Sequence, residues 1–190
     1  LNKIMLKIVI TGVSSGIGYA ITKTLTKAGF FVYGSVRKQE DADKLTNEIK
    51  SNFKPIIIDV TDNKTILESL EIVKSDLKPQ ESIAALINNA GIALGGPIKL
   101  IDTKIFRKQF DVNFFGLIDM TKAFLPLLGA YKNSYSQGKI INISSVSGLR
   151  SNPFTAPYCA SKFALEAFSD SLRQELMIYG VDVILIEPGP

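Results

Sequence analysis

The chain has 190 residues, 46% of them hydrophobic, with a formal net charge of +4, one Cys and no His. That length and apolar content suffice for one sizeable core, and nothing in the sequence suggests a second domain. The cationic residues are interspersed with acidic ones rather than clustered, which excludes a phosphodiester-tracking surface, and the Cys and His counts exclude a disulfide framework and a zinc site. No apolar run reaches the ~18 residues of a membrane span and no signal-peptide pattern opens the chain, so neither nucleic acid nor membrane is expected as a partner, and the expected location is cytoplasmic.

Taken in chain order, β-rich apolar runs alternate with helical patterns. Strands are expected near Lys7 to Thr11, Phe31 to Ser35, Lys54 to Asp59, Ala84 to Asn88, Lys139 to Ser144 and Asp182 to Glu187. Between them fall helices at Gly16 to Ala28, Glu40 to Asn52, Asn63 to Ser75, Lys104 to Leu128 and Pro157 to Tyr179, with loops at Leu94 to Thr103 and Tyr131 to Gly138. Near-continuous Ile, Val and Leu in several strands is the mark of a sheet covered on both faces. The alternation predicts an α/β fold, a Rossmann-type doubly wound parallel sheet of six strands in three layers α/β/α, with ligand beyond the carboxyl ends of the strands.

The first strand runs into Thr11-Gly12-Val13-Ser14-Ser15-Gly16-Ile17-Gly18 and then directly into a helix. Gly12 permits a tight turn, Gly16 a close backbone approach to ligand and Gly18 close packing of helix on strand, while the free N–H groups of a helix start attract a diphosphate. The glycine spacing and the missing Lys disfavour a Walker A loop. At the end of the second strand, where an acidic residue would hold the adenosine ribose hydroxyls, the chain has Val36, and the neighbouring Arg37 can pair with a 2′-phosphate. NADP is therefore expected over NAD, with Lys38 as a supplementary contact.

Tyr158 and Lys162 stand four residues apart in Tyr158-Cys159-Ala160-Ser161-Lys162. On a helix this spacing sets both side chains on one face, about 40° apart, and a nearby cation favours the charged form of a phenol. In a chain without His, such a pair is the strongest candidate for proton transfer.

The Gly-x-x-x-Gly-x-Gly turn, Asn88-Asn89-Ala90-Gly91, Asn113-Phe114-Phe115-Gly116, Asn142-Ile143-Ser144-Ser145, the Tyr-x-x-x-Lys pair and Pro188-Gly189 occur in the order seen in the short-chain dehydrogenase/reductase family, which the chain resembles over essentially its whole length. Within that family it looks most like the steroid- and retinol-dehydrogenase group. The resemblance implies hydride transfer between a nicotinamide and a carbonyl or alcohol carbon, and the apolar character of Gly148, Leu149, Phe154 and Thr155, between Ser145 and Tyr158, points to a small-to-medium hydrophobic substrate. Tyr158 would exchange the proton, Lys162 would support it and hold the nicotinamide ribose, Ser145 would hold the substrate oxygen, and Asn113 would hold a water linking Lys162 to solvent. Ser145 is preferred to Ser144 because it lies 13 positions before Tyr158, the spacing usual in the family.

The same resemblance implies cofactor contacts from Gly12, Ser14, Ser15, Gly16, Ile17 and Gly18, from Asp59 (toward the adenine) and Val60, from Asn89, Ala90 and Gly91, from Tyr158 and Lys162, and from Pro188 and Gly189. It also implies a homodimer or homotetramer through the Phe-bearing helices around Asn113 and Tyr158. A substrate-covering loop and a seventh strand, which the family has after the sixth, are missing from this sequence. A chain that binds NADP(H) without turnover is the alternative reading.

Overall fold

A computed structural model describes residues 5–130 and 138–189; of the expected loop from Tyr131 to Gly138, all but Gly138 lies outside them. Six strands, β1 (Lys7–Ile10), β2 (Phe31–Val36), β3 (Phe53–Ile57), β4 (Ala85–Asn88), β5 (Lys139–Ile143) and β6 (Asp182–Ile186), form one sheet in the order β3-β2-β1-β4-β5-β6. Every pairing is parallel. The order reverses between β1 and β4, so the crevice at their carboxyl ends is the place where such a sheet takes a ligand.

Successive strand residues point to opposite faces, and the two faces carry different helices. Ile8 and Ile10 of β1 and Ala85 and Ile87 of β4 pack with Ala42 and Leu45 of α2 (Gln39–Glu48) and with Ile21 and Leu25 of α1 (Gly16–Lys27). Val9, Leu86 and Ile140 point the other way. They meet Ile66 and Val73 of α3 (Asn63–Ser75), Met120 and Phe124 of α5 (Gly116–Phe124) and Leu172 and Leu176 of α6 (Ala156–Leu176). The expected three layers are present. Hydrophobic burial on both faces explains why these strands are apolar at consecutive positions.

The helix expected from Lys104 to Leu128 is helical throughout but not uniform. It begins as α4 (Thr103–Phe110), widens into a π turn at Asp111–Phe115, resumes as α5 and tightens into a 3₁₀ turn ending at Gly129, whose φ is 84°. Gly116 lets this widened stretch press on the loop after β3, because a Cβ there would lie 2.7 Å from the Val60 carbonyl oxygen. Where β4 and β5 pair at Asn88 and Asn142, the two amides join in a buried seam. Asn88 Nδ2 donates to Asn142 Oδ1 (2.9 Å) and Thr121 Oγ1 (3.1 Å), and Asn142 Nδ2 donates to Ser169 Oγ (2.9 Å), tying α5 and α6 to the sheet. Among the described residues, no helix is long and apolar enough to cross a membrane.

Candidate active site

The turn after β1 is shaped from beneath by polar contacts. Gly12 has φ 71°, and a Cβ on it would lie 2.9 Å from Ala90 Cα. Thr11 Oγ1 accepts from the backbone N–H groups of Asn89 and Ala90, and Asn89 Nδ2 donates to the carbonyls of Thr11 and Gly12, all at 2.9 Å. Gly12 N donates to Ser35 Oγ at 3.0 Å, fastening the turn to β2 as well. Gly18 sits behind this knot, where a Cβ would be 2.3 Å from the Gly12 carbonyl oxygen and 2.4 Å from Asn89 Nδ2. Gly16 has φ 60° and no protein atom within 4 Å of the place a Cβ would take, so the backbone there is open on that side.

Helix α1 begins at this turn without a side-chain cap on Ser15, whereas α3 and α4 are capped by Asp62 and Asp102. Uncapped N–H groups at a helix start bind anions. They face a cavity of about 360 Å³ whose walls include Gly12, Ser14, Ser15 and Ile17 from this turn and Arg37 and Lys38 after β2. Asp59 and Val60 after β3 and Asn89, Ala90 and Gly91 after β4 also line it, whereas Gly16 and Gly18 are not among its walls. Val36 is buried among the core residues and presents no group to a ribose. Asp59 folds back on its own loop, accepting from Thr61 Oγ1 (2.7 Å) and Thr61 N (2.9 Å). The Thr61 hydroxyl, the Thr61 N–H and then the Arg37 charge hold its carboxyl below the usual carboxylate range.

Tyr158, Lys162, Pro188 and Gly189 are not walls of that cavity; they belong to a second group around the end of β5. Tyr158 and Lys162 lie one turn apart near the start of α6, with the Lys162 ammonium 5.8 Å from the Tyr158 ring centroid. Lys162 is buried and donates to the Ile143 carbonyl oxygen at 2.7 Å. Burial pulls its pKa down from 10.5 to about 8, opposed by the charge of Glu166. Ser145 starts the short 3₁₀ turn Val146–Gly148, its Oγ accepting from Ser147 N at 3.1 Å. Val146 N donates to the Pro188 carbonyl oxygen at 3.2 Å, so the segment after β6 runs beside Ser145. Ser144, the rival serine, has its hydroxyl engaged elsewhere: it donates to Glu166 Oε1.

The Asn113 side chain is buried and bonded to the loop after β4. Its Oδ1 accepts from Ile92 N (2.9 Å), and its Nδ2 donates to the Ile92 carbonyl (2.9 Å) and to Ser161 Oγ (3.3 Å). Gln109, one turn earlier and fully buried, grips the same loop through Leu94 N (2.8 Å) and the Ile92 carbonyl (2.7 Å).

Sequence reasoning missed Thr11, Ser35 and Gln109. Thr11 and Ser35 carried a signal: each is a hydroxyl inside or ending an apolar strand, which needs a buried partner. Gln109 carried none, since its position on a helix full of charged residues reads as solvent-facing.

A doubly wound parallel sheet with a glycine turn, an uncapped helix start and a cavity at its switch point defines a dinucleotide-binding α/β domain. The chain belongs to the short-chain dehydrogenase family, whose model, described as short chain dehydrogenase, matches residues 6–190. It is 44% identical over 182 residues to an NADPH-dependent 3-dehydrocapnine reductase of Ornithobacterium rhinotracheale, covering 96% of this chain and 64% of that protein. It is 36% identical over 187 residues to a mitochondrial D-beta-hydroxybutyrate dehydrogenase of Mus musculus, covering 96% of this chain and 53% of the relative. The chain thus spans between about half and two thirds of the length of these curated relatives. Among solved structures, the closed form of a serine dehydrogenase complexed with NADP+ superposes with a TM-score of 0.86 at 33% identity, covering 97% of this chain and 72% of that one.

Proposed function

We propose that this chain carries the cofactor-binding and proton-handling machinery of an NADP(H)-dependent oxidoreductase acting on a carbonyl or alcohol carbon of an apolar substrate. The observation that carries the reading is the buried Lys162 ammonium, fixed on the Ile143 carbonyl one helical turn from Tyr158 and, among the described residues, in no salt bridge. A buried cation without a carboxylate partner opposes folding, and a role in chemistry accounts for its presence.

When bound, the nicotinamide supplies or accepts the hydride. In the reducing direction Ser145 Oγ donates a hydrogen bond to the substrate oxygen and Tyr158 gives it a proton. Lys162 stabilises the negative charge that builds on Tyr158 Oη as the proton leaves. Asn113 holds the water through which Lys162 reaches solvent, and its side chain also fixes the Ile92 loop. The uncapped start of α1 takes the diphosphate, with Ser14, Ser15 and Ile17 around it, and Arg37 with Lys38 takes the 2′-phosphate. Pro188 and Gly189 form the wall on the nicotinamide side.

The relatives' names carry a 3-dehydro and a beta-hydroxy function, so 3-oxo acids and esters, short and long, are the first substrates to try. Exposed Leu149 and Phe154, between Ser145 and Tyr158, favour the longer, apolar ones. We further propose a homodimer or homotetramer through the α4–α5 and α6 helices, and a cytoplasmic location in keeping with the one free, buried Cys159.

The test follows NADPH oxidation over that panel. Tyr158→Phe should lower kcat about 100-fold or more while leaving NADPH binding, read by fluorescence, unchanged; turnover at the wild-type rate sinks the mechanism. Arg37→Ala should weaken NADPH about 10-fold and NADH little, as expected for one charge-assisted contact. Equal losses for both cofactors in a titration would assign the 2′-phosphate elsewhere.

A further inference from the structure

We infer that Glu166 is a positioning residue, whose carboxylate ties the strand end bearing Ser145 to the helix bearing Tyr158 and Lys162. The inference rests on the reading that these three residues do the chemistry, and adds to it the group that sets their relative placement.

Glu166 follows Lys162 by four residues, one turn further along α6, and is half-buried. Its Oε1 accepts from the hydroxyl of Ser144, the last buried residue before Ser145. The 3₁₀ turn that Ser145 opens sits directly on the same side chain. A Cβ on buried Gly148 would lie 2.9 Å from both Cγ and Oε1 of Glu166 and 3.1 Å from Ser144 Oγ. The turn therefore has room on Glu166 only because residue 148 has no side chain.

Side chains alternate along an extended segment, so fixing Ser144 toward α6 leaves Ser145 to point the other way. Glu166 thus settles which of two adjacent serines is available to a substrate. It also stands one turn after Lys162 on α6, as Tyr158 stands one turn before it. Around Lys162 stand Tyr158 on α6, the Ile143 carbonyl of β5 and Ser161, itself held by Asn113 of the π turn. Among these neighbours Glu166 carries the charge that favours the protonated form of that ammonium against burial.

Two substitutions separate the tie from the charge. Glu166→Gln keeps the shape and an oxygen for Ser144 but removes the charge, whereas Glu166→Ala removes both. In protein labelled with 13Cε-lysine, the Lys162 signal, assigned by its loss in Lys162→Met, should titrate about one pH unit lower in Glu166→Gln than in wild type. With NADPH and ethyl 3-oxobutanoate as the probe, the alkaline limb of kcat/KM should move down by the same interval. Glu166→Ala should lower kcat about 10-fold or more at every pH without changing KM for NADPH. An unmoved Lys162 titration in Glu166→Gln, or a wild-type kcat in Glu166→Ala, overturns the assignment. Tyr158→Phe assayed alongside keeps the two readings apart: if it turns over like wild type the catalytic reading fails, and the lysine titration, which needs no turnover, still decides for or against Glu166.

Discussion

Lys162 opposes folding where it stands. Its pKa of about 8, against 10.5 for a free lysine, means that the unfolded chain binds more protons between those two values. Stability therefore rises with pH across that window, and the penalty is present in full below about pH 8. Lys162→Met removes a penalty of about 3 kcal/mol but leaves the Ile143 carbonyl without its donor, so a net gain of about 2 kcal/mol at pH 7 is expected. Urea unfolding at pH 7 and near pH 10.5 checks it, because the advantage should shrink at the higher value. The pair itself was legible in the sequence, since one helical turn is all that joins Tyr158 to Lys162. The preference for Ser145 over Ser144 rests in the sequence on spacing alone; the bond that engages the Ser144 hydroxyl, to Glu166, joins residues 22 apart and is contained in no local pattern.

At the scale of elements, two glycines of one turn behave differently. Gly16→Ala meets no neighbour and should lose only about 1 kcal/mol for its left-handed φ. Gly18→Ala drives a Cβ into the Gly12 carbonyl and Asn89, and should lower stability by about 3 kcal/mol and weaken NADPH binding together. Thermal melts and cofactor titrations of the two variants check the contrast; equal effects would contradict it. The strands and helices were legible because their apolar periods differ, with ends shifted by a few residues. Helix α2 stops at Glu48 rather than Asn52, since Asn52 takes φ 58° and leads into β3. The π turn was hidden because its anchor, the Asn113 amide on Ile92, lies across the fold rather than along the helix.

For the whole molecule, the Phe residues expected at a subunit interface divide in two. Phe124 is entirely core, and Phe114 stacks edge-on with Phe110, Phe115 and Phe168. Phe115 and Phe163 remain 53% and 43% exposed on helices of the proposed interface. Replacing both by Asp should convert an oligomer to monomer in sedimentation, with the fold retained by circular dichroism; an unchanged mass would move the interface elsewhere.

The order of the sheet has a consequence at the same scale. Among the described residues, β1 with β4 is the one strand pairing that joins the half carrying β1, β2 and β3 to the half carrying β4, β5 and β6, through a register of three residue pairs. The candidate diphosphate and adenosine groups line one side of that join, and the proton-handling groups belong to the other. A dinucleotide laid across it acts as a rivet as well as a reagent. By mass action, a dinucleotide bound as proposed and present at about 100 times its dissociation constant would add about 2.7 kcal/mol to the folded state, so the concentration of the coenzyme would govern stability as well as the rate of the proposed reaction.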